Sequence, residues 1–433
     1  RRAAGRPRGR KDRKDQQDRK GDDMPHLVTD DISLRLRARV PAVLFGETRD
    51  WKFFDGPSGT QMVDGCIDAM RDYMLTGVAN RHEVAPTGDQ TEEIIARARR
   101  EFQRLVRGTG YRVVFGQNMT SLAFSFAHAI AAQRAREGSS ILISELEHFG
   151  NVDPWVRNFA DHGVPAKFIP VDEESCRLED DALSRELTAG PVDLVAVTLA
   201  ANAIGTVPDV AAISSLAHEA GALVAVDGVH AVPHHQVDLE AINPDIFFCS
   251  AYKFYGPHLG IALVKEDLAE ELKPYKVTPA TDVGPDKFET GSQNHEAIAG
   301  LVGTLNSLAS LVGGAGGAGA REAIGQLSRS QAKTAEWIEG RLRSMPKVRL
   351  FRAKSSEGAL APTIAFRVEG RSPAECAARL RERGLFITHG DLYVVALARR
   401  LGVADDGGWA RLGVAGYNRM DEAEELVEAI GAL

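Results

Sequence analysis

Ala225-Val226-Asp227-Gly228-Val229-His230 and, further on, Phe248-Cys249-Ser250-Ala251-Tyr252-Lys253 decide how this chain is read. Each begins as a short apolar run, the composition of a strand buried on both faces. The first run ends on a carboxylate. The second is followed at once by an amine, 26 residues later (253 − 227). Pyridoxal phosphate chemistry uses such a pair: a lysine to hold the aldehyde as a Schiff base, and an anion to keep the pyridinium nitrogen protonated. The pair also has a plainer reading, because an Asp that ends a strand is common and most lysines are solvated.

Working outward, strands alternate with helices on both sides of this core, which predicts a mostly parallel sheet covered on both faces. Strands are expected at Tyr111 to Phe115, Ile141 to Ser144, Ala166 to Pro170, Leu194 to Leu199, Leu223 to Asp227, Ile246 to Ser250 and Ile261 to Val264. Helices are expected at Gln61 to Leu75, Gln90 to Val106, Asn118 to Arg136, Pro154 to His162 and Val210 to Ala220. Gly313-Gly-Ala-Gly-Gly-Ala-Gly319 interrupts the pattern and reads as a flexible linker; it lacks the Lys-Ser/Thr of a nucleotide P-loop. This divides the chain into a large domain (61–312) and a smaller α+β domain (313–433), with residues 24–60 packing on the latter.

Composition sets bounds. The chain has 433 residues, 44% hydrophobic and 26% charged, ample for a buried core. Cys66, Cys176, Cys249 and Cys376 show no paired spacing, which fits free thiols in a reducing compartment better than disulfides or zinc. No apolar run has the length of a membrane helix, so a cytoplasmic location without membrane contact is expected. Residues 1–20 hold ten Arg or Lys against three Asp, a charge of +7, leaving −15 for the rest. We read residues 1–23 as a disordered basic tail. The acidic body argues against nucleic acid as the main ligand.

Four ordered motifs, the first of them in two runs, carry a resemblance. The two runs above extend to Val226-Asp-Gly-Val-His-Ala-Val-Pro233 and Asp245 to Pro257; with Glu147-His148 to Trp155, Asn202-Ala-Ile-Gly-Thr206 and Phe288-Glu-Thr-Gly-Ser-Gln-Asn294 they resemble class V aminotransferases, a family that includes cysteine desulfurases. The resemblance implies a pyridoxal-phosphate transferase of fold type I, with a seven-stranded sheet in the large domain, acting on an amino acid. Lys253 would be the Schiff-base residue and Asp227 the pyridinium partner. His148 would stack on the ring and move protons, while Asn202 and His230 would flank its phenolic oxygen.

Phosphate contacts are expected from the helix start at Asn118, Met119 and Thr120, where free backbone N–H groups favour an anion, and from Ser250 and Tyr252. Ser292 resembles a residue that reaches the phosphate from a neighbouring subunit, implying a homodimer with shared sites. Arg411 resembles the clamp for the substrate carboxylate, a task suited to a planar guanidinium. His230 stands where relatives usually have Gln, and Tyr252 where they have His. His230, His234 and His235 lack a completing ligand, so no metal is expected. Most consequential, His389-Gly390-Asp391-Leu392-Tyr393 replaces the loop on which cysteine desulfurases carry a nucleophilic Cys. Cys376 reads as a buried structural thiol. The expected chemistry is therefore β-elimination (C–S lyase type), ahead of transamination or epimerisation, true desulfuration, or a pyridoxal-phosphate-binding regulatory protein.

Overall fold

The computed structural model describes residues 29–433; the basic stretch expected to be disordered lies outside them. Seven strands form the central sheet: β1 (Tyr111–Gly116), β2 (Ser140–Ser144), β3 (Ala166–Ile169), β4 (Val192–Thr198), β5 (Leu223–Asp227), β6 (Ile246–Ser250) and β7 (Gly260–Lys265), in the order β1-β7-β6-β5-β4-β2-β3. All neighbours pair in parallel except β7, which runs antiparallel to both β1 and β6. The reason is local. Only Ala251 to Leu259 separates β6 from β7, too short for the crossover that a parallel partner needs.

Side chains alternate across the sheet, as strand geometry demands. Phe247 and Cys249 enter one core, with Val224, Val226, Ile261 and Leu263. Ile246 and Phe248 enter the other, with Ala225, Ala262 and Val264. On the first face lie α1 (Asp64–Thr76), α2 (Pro86–Val106), α4 (His295–Ser310) and α5 (Gly316–Arg343), and on the second α3 (Met119–Arg134) and the helix Asp153–Ala160. Both faces are dry, which is why every residue of β4 and β6 is buried.

A second sheet of four antiparallel strands, β8 (Val348–Phe351), β9 (Thr363–Val368), β10 (Thr388–Gly390) and β11 (Trp409–Gly413), runs in the order β8-β9-β11-β10. The helices Pro373–Glu382 and Met420–Gly431 pack on it around Phe366, Leu380, Leu412 and Leu426. The N-terminal segment touches this unit: Lys52–Phe53 pairs in parallel with Leu385–Phe386, and Arg37 meets Glu422 at 3.0 Å.

The glycine run does not form the expected linker. Gly316 opens α5, and Gly317 donates its N–H to Glu101 Oε2 at 2.8 Å. A Cβ on Gly317 would lie 1.8 Å from the Glu101 carbonyl oxygen. These glycines serve close helix contact with α2 rather than flexibility.

Candidate active site

Strands β2, β4, β5 and β6 deliver their carboxyl ends to one edge of the sheet, where open α/β sheets bind ligands. A cavity of about 100 Å³ lies there. Ten of the residues anticipated from sequence line it: Asn118, Met119, Thr120, His148, Asn202, Asp227, His230, Ser250, Tyr252 and Lys253. Arg411 lies in the cleft that continues from it past Lys253, Asn202 and His148. Ser292 is elsewhere in the chain: it is exposed, hydrogen-bonded to Asn80 at 3.3 Å, and lines a separate hollow with Gln117 and His258.

Each side chain has a local cause for its position. Asn118 caps α3, its Oδ1 accepting the Ser121 N–H at 2.8 Å. That leaves the helix start pointing its backbone donors at the cavity, an anion seat. Lys253 closes a single 3₁₀ turn after β6 and is 9% exposed; its Nζ donates to the Pro57 carbonyl oxygen. Burial, aided by the Arg411 charge, lowers this amine to about 7, while Asp227 and Asp55 oppose the shift. Near neutral pH a large fraction is therefore the nucleophilic free amine.

Asp227, at the end of β5, is 5% exposed and accepts the Val229 N–H at 2.8 Å. Burial raises its carboxyl to about 6. A cation in the cavity would offset that penalty. Behind it, Glu147 is raised to about 8 by burial and accepts hydrogen bonds from Asn151, Ser144 and the Thr198 N–H. His148 falls to about 4 through burial and the positive charges of Lys253 and Arg411. Its Nδ1 accepts the Gly150 N–H at 2.9 Å, so the neutral ring carries its proton on Nε2. His230 is hydrogen-bonded to Thr363 Oγ1 at 2.9 Å, and burial holds its pKa well down. Tyr252 stacks on His258 and lies 5.0 Å from Lys253 Nζ.

Arg411 is 2% exposed, and its hydrogen-bond partners are all neutral oxygens: Thr388 Oγ1 at 3.0 Å, the Asn202 carbonyl at 2.8 Å and Ser58 Oγ at 2.7 Å. A buried guanidinium held in this way has charge left for an incoming carboxylate. Burial lowers its pKa to about 10. Around it the structure adds residues that sequence reasoning did not single out for the site. Asp55, Pro57 and Ser58 come from the N-terminal segment, and Thr388, Asp391 and Tyr393 from β10 and the loop after it. Tyr393 stacks on His148 at 5.3 Å, and its carbonyl accepts the Phe149 N–H at 2.8 Å. Asp391 and Tyr393 lay in the quoted stretch His389 to Tyr393, and no spacing rule joins residue 55 to residue 411.

Two observations test whether the residues fit pyridoxal phosphate. Asn202 Oδ1 is buried without a partner at the cavity wall, and the Asp227 carboxylate is bonded to a single backbone donor. Both lack the donor or cation that a pyridinium ring with a phenolic oxygen would provide. The residues fit. Among the described residues, no cluster of three His, Cys, Asp or Glu could hold a metal ion. All four cysteines are buried, none lines either cleft, and burial raises the thiols of Cys66 (to about 11), Cys176, Cys249 and Cys376.

Comparison with known proteins agrees. The family model Aminotransferase class-V matches residues 52–426. An uncharacterized protein of Mycobacterium tuberculosis is 26% identical over 403 residues, covering 92% of this chain and 98% of its own length. A cysteine desulfurase of Klebsiella pneumoniae is 27% identical over 401 residues, covering 87% and 92%. Among solved structures, a cysteine desulfurase from Thermococcus onnurineus superposes with a TM-score of 0.80 at 21% identity, covering 92% of this chain and 96% of that one. One from Escherichia coli gives 0.77 at 23%, covering 92% and 97%. At those identities the structures speak for the fold alone. Fold and family match together define a pyridoxal-phosphate-dependent enzyme of fold type I that acts on an amino acid. The chain belongs to the class V aminotransferase family.

Proposed function

We propose that this enzyme is a C–S lyase that eliminates the β substituent of a sulfur-containing amino acid. The observation that carries the reading is the combination of an amine lowered to about 7 at Lys253 and a buried Arg411 beside it, in a cleft that no thiol lines. Pyridoxal phosphate, when bound, supplies the electron sink for a carbanion at Cα. Lys253 would hold it, Asp227 would keep its ring nitrogen charged, and the start of α3 with Ser250 and Tyr252 would seat its phosphate. Asn202 and His230 would flank the ring, and His148 would cover one of its faces.

For the substrate, Arg411 fixes the α-carboxylate and so aims the Cα–H bond. Lys253 Nζ, once free, takes that proton as general base. Elimination at Cβ needs no further nucleophile, whereas a persulfide relay needs a thiol in the cleft. Transamination and epimerisation use the same Lys253 and Arg411 and stand second; a pyridoxal-phosphate-binding regulatory protein would use Lys253 only to hold the cofactor and stands last. Incubation with a panel of sulfur amino acids tests this. Sulfide or thiol released together with pyruvate and ammonia is the expected result. Sulfide with alanine would overturn it in favour of desulfuration, and a cofactor-binding chain that turns over no amino acid would favour the regulatory reading.

The exposed apolar side chains Met74, Leu75 and Val78 at one end of α1, with Tyr275, support a homodimer in which Ser292 completes the neighbour's phosphate seat. No helix among the described residues is long and apolar enough to cross a membrane. Four buried free thiols favour a reducing, cytoplasmic setting.

A further inference from the structure

One carboxylate at the site has no part in the reading above. Asp55 opens the turn Asp55-Gly56-Pro57-Ser58, closed by the Ser58 N–H on the Asp55 carbonyl oxygen at 2.7 Å. A bridge to Gly413 fixes this turn on β11, two residues from Arg411. The turn grips both cations of the cleft. The Pro57 carbonyl accepts from Lys253 Nζ, and Ser58 Oγ accepts from Arg411 at 2.7 Å.

The Asp55 side chain makes neither contact. Its Oδ1 is buried and has no hydrogen-bond partner. A buried carboxylate oxygen without a donor is unfavourable, so a donor arriving during the reaction accounts for it best. Lys253 is the group that changes place, because its nitrogen is bonded to the cofactor in one state and free in the next. Arg411 is already clamped by three oxygens.

We propose that Asp55 is a positioning residue that holds the charged form of the Lys253 nitrogen, an anionic seat on the small-domain side of the site. The inference rests on Lys253 being the cofactor lysine. Facing that nitrogen are Arg411, Asp227 and Asp55, with the His148, His230 and His234 rings and the Tyr252 phenol farther round. Asp227 is committed to the pyridinium, and all three His are pushed toward neutrality by burial. Asp55, on which Arg411 acts more strongly than Lys253 and which also faces Tyr417, is the remaining anion for Lys253. Its own pKa is raised by burial and pulled back by its own backbone N–H, then by Arg411 and Lys253.

The test is a pH titration of the visible absorption band of the full chain loaded with pyridoxal phosphate. Loss of the anion disfavours the protonated nitrogen, so the midpoint in Asp55→Asn should fall by about one unit or more. Asp55→Glu keeps the charge and should stay much closer to the unsubstituted midpoint. An unchanged midpoint in Asp55→Asn overturns the proposal, even if affinity for amino acids changes, since that would make Asp55 a partner of Arg411 alone. Should the Asn variant fail to fold, Asp55→Ser is titrated against the same criterion. A missing band in the unsubstituted chain would instead strike at Lys253, and this inference would fall with it.

Discussion

At the scale of single residues, the proposed site is built on two buried cations, Lys253 and Arg411. Lys253→Ala should abolish both the visible cofactor band and turnover, checked by absorption and product assay. Because the free amine sits at about 7, the rate of cofactor attachment to the stripped protein should climb roughly tenfold per pH unit below that value and level off above it. A rate still climbing steeply to pH 10 would contradict the burial that lowers this group. Arg411→Lys replaces a planar fork by a point charge and unpairs Ser58, Thr388 and the Asn202 carbonyl in part. We expect about 2–5 kcal/mol of lost substrate binding, read as a higher KM with a smaller change in kcat. Of the ten cavity residues, Asp227, Lys253 and the helix start at Asn118, Met119 and Thr120 were legible from strand ends and a helix start, whereas His148, Asn202, His230, Ser250 and Tyr252 came only with the family resemblance. Asp55, Ser58, Asp391 and Tyr393 were not legible, because only the closed chain brings such distant loops to Lys253.

At the scale of elements, strands read well and helix contacts read poorly. Short apolar runs such as Ile246 to Ser250 have few alternatives, and the observed β6 has those bounds. Helix α2 begins at Pro86, four residues before the expected Gln90. Thr87-Gly88-Asp89 lies inside the helix, with Pro86 at the first position after an extended Ala85. Gly88 is there because a Cβ would press to 2.3 Å from the Glu83 carbonyl oxygen. Helices α1 and α4 likewise cross at bare backbone: a Cβ on Gly303 would lie 2.1 Å from the Gly65 carbonyl oxygen. Gly303→Val should therefore destabilise the fold by at least the 1–3 kcal/mol, roughly, that overpacking costs. A lower thermal midpoint by circular dichroism, with the cofactor band intact at low temperature, is the expected result. Sequence cannot separate a glycine that permits such contact from one that permits motion, which is why 313–319 was misread.

At the scale of the whole molecule, the proposed homodimer makes its own prediction. Sedimentation should give a dimer, and mixing inactive Lys253→Ala chains with Ser292→Asp chains should restore some activity, because hybrid molecules regain one unspoiled site. The order of strands has a separate consequence, one that concerns how the protein is made. The sole neighbour of β1 within the central sheet is β7, and Gly116 pairs with Gly260, 144 residues later (260 − 116). On the ribosome, an aromatic-rich strand must therefore wait, with both its hydrogen-bonding edges open, until more than half the polypeptide has been synthesised. Nascent chains stalled at Phe254 should bind chaperones strongly and let go once Lys265 clears the exit tunnel.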